Sequence, residues 1–582
     1  MSRWRALHQE LAKRGRAEVL LLIPLLLALG LPRGLELDRY VTVDEPKWLM
    51  RSAGFYAALT RADFRGTFQR EHPGVTVTWA GTAGYLLRFP GYFKVAPREL
   101  SGISRFHRLL RDYQKDPLDL LEAGRAFVVV INLTCLALAF LVTTRLIGTL
   151  PALFAFLLIA FDPYFTALTR LLHPDGLLGP ATFLSLIAFL AYMYQGRDRR
   201  YLLLSALAAG LAWLTKSPAL FLAPFVGLLV FIEWLVEQAH GFGRARRPAP
   251  TGMWRDLSPL LVWFGVGAVV FTLLWPAMWV DPLGSLSRVF SLASTYASEG
   301  HDTRLFFNGL LYEQGQSAWY FYPLAYLWRT TPVTLIGLGL ALCAALFPKL
   351  LPVGPASRRT VLSLALFVVL FGAFISLGEK KFDRYLVPLL APLTLVSALG
   401  WLALAERLFK DPRRIHAQRW ASGYLLGAVV LVQAAGLYQS YPYYLNYYNP
   451  LMGGDRNAPD VMMVGWGEGL DQAARYLISL PEAHRAVAWY GDGCFSYFYD
   501  GQSITLDELT TLGDLRQDDH VVIYIDQLQR QLPSREFLAF FERFEPEHVV
   551  RIGSIEYARV YDMGDTPPLS AASYRRSGRK QP

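Results

Sequence analysis

Cysteine is scarce, with three residues in 582 and no Cys-x-x-Cys spacing, so neither a disulfide framework nor a zinc site is indicated. Charge is thin as well. Charged residues make up 18% of the chain, against about a quarter in soluble proteins. Hydrophobic residues make up 53% and mean hydropathy is +0.27, an excess that needs lipid as its solvent. There is no internal repeat, Gly-rich phosphate loop or heptad seam, which sets aside solenoids, P-loop nucleotide chemistry and coiled coils. The net charge of +10 would suit a nucleic-acid partner. Much of it, however, falls in short loops between apolar blocks, where Lys and Arg set membrane topology, so no nucleic acid is expected.

Long apolar blocks are what the chain has instead. A helix needs about 20 residues to cross a bilayer. The first block, Val19 to Leu31, follows a basic start (Arg3, Arg5, Lys13, Arg14, Arg16) and is read as a retained anchor rather than a signal peptide. Ten more follow at roughly 124–144, 147–165, 176–194, 201–215, 219–237, 257–279, 331–349, 360–377, 385–405 and 420–438. The blocks at 147–165 and 201–215 are short. Basic connections at Gly196–Arg200, Gly243–Arg247, Lys349 with Arg358 and Arg359, and Lys410 with Arg413 and Arg414 fall on one side if every block spans. That side is then cytoplasmic. The expected class is a polytopic α-helical membrane protein of about 11 spans. It divides into a membrane domain (1–440, with a first outer loop at 37–122), a small exocytoplasmic α/β domain (441–563) and a disordered basic tail (564–582). Within the second domain, Gly469–Leu480 reads as a helix and Arg485–Tyr490, His520–Ile525 and His548–Ile552 as strands.

Four polar clusters share the outer face. Asp44-Glu45 follows the first block; Thr42 and Glu45 have capping-box spacing and Pro46 suits a first helical turn, so a structural role competes with acid/base work. Glu71-His72 lies in the outer loop, beside Pro73 and Gly74, where a turn competes with substrate positioning. Arg170, His173 and Asp175 occupy a tight connection beside lipid, where ionisable groups are costly. Lys216 and the run Glu379–Tyr385, containing Arg384, put cations where the positive-inside preference disfavours them. An anionic ligand such as a lipid phosphate would account for them, through an Arg fork or a Lys point charge. Helix capping or lipid-headgroup contact is the plainer alternative.

These segments resemble the GT-C glycosyltransferases, especially protein O-mannosyltransferases and bacterial aminoarabinose transferases, over roughly residues 15 to 450. The likeness rests on Asp44-Glu45, His72-Pro73, Arg170–Asp175, Gly210–Pro218 and Lys381–Pro388, in that order and on one face. Tyr443–Pro450 and Gly465–Gly469 resemble prokaryotic members with an outer C-terminal domain. The resemblance implies Asp44 as catalytic base, with Glu45 and Asp175 beside it. It puts Glu71, His72 and His173 in the substrate cavity, and Lys216, Arg384 and Arg170 at the donor phosphate. It further implies a polyprenyl-phosphate-linked sugar donor, no required cofactor, and a cell-membrane protein acting on its outer face. Acceptor class (protein, lipid or glycan) stays open, as does metal use, since some relatives use a divalent ion and others do not. His-Pro-Gly in place of the mannosyltransferases' His-Pro-Pro, and the lack of a β-trefoil-like insertion, count against assuming a protein acceptor. The competing readings are a transporter or flippase and a non-catalytic envelope assembly protein.

Overall fold

The computed structural model describes residues 19–70, 73–98, 102–241, 251–301, 303–347, 349, 355–409, 415–481 and 483–565. All eleven apolar blocks are helical, but they differ in length. Six helices are long and apolar enough to cross a membrane: Pro117–Ile147, Pro174–Tyr194, Ser217–Gln238, Arg358–Ser376, Asp383–Phe409 and Trp420–Gln439. Phe321–Arg329 and Pro332–Leu346 make a seventh if taken together, bent by 118° at Thr330-Thr331. Proline at the start of the second member explains the break, because the residue before proline is driven out of the helical region. Val19–Gly34, Thr149–Ala160 and Ser258–Leu273 are shorter apolar helices. At 12 residues, Thr149–Ala160 rises only about 18 Å. The expectation of eleven apolar helices therefore holds as helices, while full-length spans among the described residues number six or seven.

Pro174–Tyr194 lies at the centre of the bundle. It packs against Pro117–Ile147, Arg199–Thr215 and the Asp383–Phe409 span, and every residue from Pro174 to Tyr192 is buried. Gly210 permits one of the tight crossings: a Cβ there would meet the Gly267 carbonyl at 2.7 Å and Val270 at the same distance. The first outer loop folds into short helices, Glu45–Thr60 and Val75–Arg88, that pack on each other and on Pro117–Ile147.

The C-terminal region is a small α/β domain, as its sequence predicts. The expected helix is Leu470–Ile478. The three expected strands are present as β3 (Arg485–Trp489), β5 (His520–Tyr524) and β6 (His548–Ile552). Two further strands, β4 (Gln502–Leu506) and β7 (Ile555–Asp562), complete a sheet of order β4-β3-β5-β7-β6. Its first three strands are parallel, and β7 and β6 are antiparallel. A separate hairpin, β1 (Leu305–Phe307) and β2 (Leu310–Tyr312), belongs to the helical part. The sheet domain and the bundle share one continuous apolar core. The basic tail lies outside the described residues from 566 onward.

Candidate functional site

Asp44 and Glu45 are neighbours with opposite surroundings. Glu45 opens the helix Glu45–Thr60 and is fully buried. Its Oε2 accepts from Thr42 N at 3.0 Å, the reach-back bond of a capping box, and from Thr42 Oγ1 at 2.9 Å, which a capping box does not contain; the N-cap position of the helix itself is Asp44. Its Oε1 accepts from Leu172 N at 2.8 Å and Arg125 Nε at 2.7 Å, while Arg125 Nη2 donates to Oε2. Burial alone would push this carboxyl up, but the Arg125 charge together with the hydrogen bonds from Arg125, Thr42 N and Leu172 N holds it below the usual range. Both oxygens are occupied, and the pair clamps the outer loop to the Pro117–Ile147 span and to the 168–173 connection.

Asp44 makes no capping hydrogen bond, which leaves its carboxylate for other partners. It is 29% exposed, with Oδ2 at 3.5 Å from His173 Nε2 and 3.3 Å from Arg384 Nη2. His173 caps the helix Pro174–Tyr194: its Nδ1 accepts from Asp175 N at 3.3 Å, and its Nε2 faces Asp44. Asp175 sits behind at 1% exposure, its Oδ1 accepting from Lys216 Nζ at 2.6 Å and its Oδ2 3.2 Å from Arg384 Nε. Lys216 lies over the Tyr385 ring at 4.0 Å, and Arg384 lies between Phe382 and Trp466, at 3.8 and 4.5 Å from their ring centres. Burial pushes the Asp44 carboxyl up, but the His173 hydrogen bond and the Arg384 charge outweigh it and hold it well below the ordinary carboxylate range.

Four segments far apart in sequence therefore meet in one network, and the Asp44 end of it opens into a cavity of about 270 Å³. Asp44, Arg384, Asp383, Arg329 and Lys380 line its membrane side, and Trp466, Glu468, Tyr490, Asp526 and Arg530 line the other. His173, Asp175 and Lys216 stand behind this wall rather than on it. Arg170 is elsewhere. It donates to the Pro32 carbonyl at 3.4 Å and the Glu36 carbonyl at 2.6 Å, and also to the Leu35 carbonyl. It thus ties down the end of the first helix. Glu71 and His72 lie outside the described residues; Gly74, two residues on, donates to the Thr215 carbonyl at 3.1 Å, next to Lys216. Among the described residues no group of three or more His, Cys, Asp or Glu is placed to hold a metal.

Sequence reasoning missed two contributors. Arg329 donates to Asp383 Oδ2 at 2.7 Å and to the Leu445 and Tyr447 carbonyls, and it stacks on Tyr164 and Tyr448 at 4.6 and 4.2 Å. Nothing local marks it, because its partners are 54 or more residues away. Trp466 and Glu468 were visible only as a glycine-punctuated motif, Gly465 to Gly469. All three glycines have positive φ (95°, 116° and 84°), and a Cβ on Gly467 would stand 2.0 Å from the Val41 carbonyl. That close approach lets the loop lie against the outer loop, where Val43 N donates to the Trp466 carbonyl at 3.2 Å.

Residues 119–241 match the model of the dolichyl-phosphate-mannose-protein mannosyltransferase family. Over that stretch the chain is mannosyltransferase-like. It contains two of the segments that carry the resemblance, Arg170–Asp175 and Gly210–Pro218. Comparison with curated proteins gives no match. Among solved structures, ArnT from Cupriavidus metallidurans in the apo state is 16% identical, with 96% of this chain and 100% of that chain covered, at a TM-score of 0.47. The same protein bound to undecaprenyl phosphate gives 15% identity, 93% and 97% coverage and a TM-score of 0.45. The apo oligosaccharyltransferase of Archaeoglobus fulgidus gives 12%, 95% and 75%, and 0.43. With TM-scores below 0.5, these superpositions assign no role to any residue of this chain.

Proposed function

We propose that the protein is a GT-C glycosyltransferase that moves a sugar from a polyprenyl-phosphate carrier to an acceptor hydroxyl on the non-cytoplasmic face of the cell membrane. The observation that carries this reading is Asp44: a partly exposed carboxylate 3.3 Å from Arg384, with both residues lining one cavity. The acceptor hydroxyl attacks the anomeric carbon and gives its proton to Asp44. The bond from that carbon to the carrier phosphate oxygen breaks with its electron pair, so the anomeric centre inverts. Arg384 and Lys380 meet the developing phosphate charge. Removing one preorganised charge of this kind costs roughly a hundredfold or more in rate. Lys216 acts one step back, through Asp175, by fixing Arg384. His173 orients Asp44. Phosphate already activates the leaving group, so no nucleotide is consumed.

The likeness of residues 119–241 to dolichyl-phosphate-mannose-protein mannosyltransferases supports a lipid-phosphate sugar donor. The test uses purified protein in lipid, a panel of polyprenyl-phosphate monosaccharides and a membrane extract as acceptor source. Sugar-dependent release of polyprenyl phosphate is expected with at least one donor. No release with any donor, from folded protein and in the presence of extract, contradicts the assignment.

A further inference from the structure

The C-terminal domain supplies part of the cavity lining, including Trp466, Glu468, Tyr490, Asp526 and Arg530. Glu468 is 3% exposed and lines the cavity. Its Oε2 accepts from Trp466 N at 2.6 Å, and among the described residues no cation stands within ion-pair distance of it. Burial pushes its carboxyl up. Asp526, 2% exposed, lines the same wall; its Oδ2 accepts from Tyr490 Oη at 2.6 Å and lies 3.5 Å from Arg530 Nη1, while its Oδ1 accepts no hydrogen bond. Asp44 and Asp383 on the membrane side are likewise paired, with Arg384 and Arg329, so among these four acids Glu468 alone has no arginine at ion-pair distance among the described residues. Asp526 Oδ1 is thus a buried acceptor left without a donor, at a cost of about 1–3 kcal/mol. A ligand that brings hydroxyl donors repays that cost. The cavity, at about 270 Å³, falls just under the small end of ligand sites, a size for one sugar ring rather than an oligosaccharide.

We infer that the C-terminal domain is the specificity element of the transferase: Glu468, seconded by Asp526, receives the ring hydroxyls of the donor sugar and so selects which sugar is moved. This rests on the proposed donor class and adds the part of the chain that reads it. The geometry divides the labour. The membrane side, with Asp44 and Arg384, faces the anomeric carbon and phosphate common to all such donors. The domain side faces the hydroxyls by which sugars differ. Sites that hydrogen-bond a substrate hydroxyl discriminate strongly against analogues lacking it, because their polar groups are then left unpaired. Trp466 is a positioning residue here. Its backbone N–H orients Glu468, and its ring covers Arg384, joining the two walls.

The test is a binding measurement in an Asp44→Asn background, where turnover does not interfere. Bare polyprenyl phosphate and a panel of its mannose, glucose, galactose and aminoarabinose esters are titrated, with and without Glu468→Gln. Glutamine keeps an oxygen to accept from Trp466 N, so the loop is preserved. Expected is one sugar ester bound more tightly than the bare carrier, an advantage cut at least about tenfold by Glu468→Gln with the bare carrier unchanged. Asp526→Asn should lower the same advantage by less. Equal weakening of esters and bare carrier would make Glu468 merely structural and overturn the inference, as would no change in any ester. Failure of the bare carrier to bind would instead strike the donor class, and the inference would fall with it.

Discussion

Two ion networks start from adjacent residues and end in different roles. Glu45 and Arg125 are 0% and 2% exposed, geometrically complete, and have no oxygen left to offer. Asp44 is 29% exposed, shares its cations with Asp175, and opens on a cavity. Both are carboxylates whose neighbouring cations hold them below the ordinary range, at the same end of one helix. The difference is saturation. A completed buried pair holds structure, while a partly exposed network keeps a carboxylate face on the cavity. A similar contrast appears in the cavity lining, where Asp44, Asp383 and Asp526 each have an arginine while Glu468, among the described residues, has none at ion-pair distance.

The largest effect that would sharpen this contrast is on Asp44. Asp44→Asn should lower sugar transfer by about 10²- to 10⁴-fold, the usual loss of a general base, with the melting temperature nearly unchanged. Glu45→Ala should do the reverse. Removing one partner of a buried pair costs about 3–5 kcal/mol, so the variant should melt much earlier or fail to accumulate, while any folded fraction keeps its activity. Gly467→Ala tests the seam between the walls. A φ of 116° and a Cβ 2.0 Å from the Val41 carbonyl should cost about 1–3 kcal/mol and slow transfer by displacing Trp466.

The smallest effect is on pH dependence. Asp44 is depressed below its unfolded value, so the stability it contributes is present above that value and lost only as pH falls through the lower folded one. Its basic form should therefore stay complete through the ordinary carboxylate range, and no acid limb near pH 4 in kcat/KM should belong to it. Glu468 is shifted the other way by burial. An acid limb above the ordinary range should vanish in Glu468→Gln; an unchanged limb would break the division between the two walls.

Much of this was legible in the sequence, and what was not has a physical reason. The eleven apolar helices, the strands β3, β5 and β6, and the meeting of Asp44, His173, Asp175, Lys216 and Arg384 follow from block length, alternation and shared sidedness. The Thr42–Glu45 bonds follow from a three-residue spacing. Arg125, the partner that completes Glu45, is 80 residues away, and no local pattern points to it. The partner of Lys216, Asp175 at 2.6 Å, is 41 residues away, and those of Arg170, the carbonyls at 32–36, are more than 130 away, so no local pattern gives either contact. The Gly465–Gly469 loop was conspicuous but mute, because its chemistry depends on which surface the C-terminal domain folds against. Strands β4 and β7 escaped because polar residues such as Gln502, Glu556 and Arg559 interrupt their apolar runs.

The most direct test compares two variants one residue apart, Asp44→Asn and Glu45→Gln. Each is purified in lipid, checked for folding, and assayed for polyprenyl phosphate release with the donor that the wild type uses. The expected result is a folded Asp44→Asn protein that releases none above background, beside a destabilised Glu45→Gln protein whose folded fraction releases at close to the wild-type rate. Wild-type release by folded Asp44→Asn, or abolished release by stable, folded Glu45→Gln, would contradict the assignment of the base.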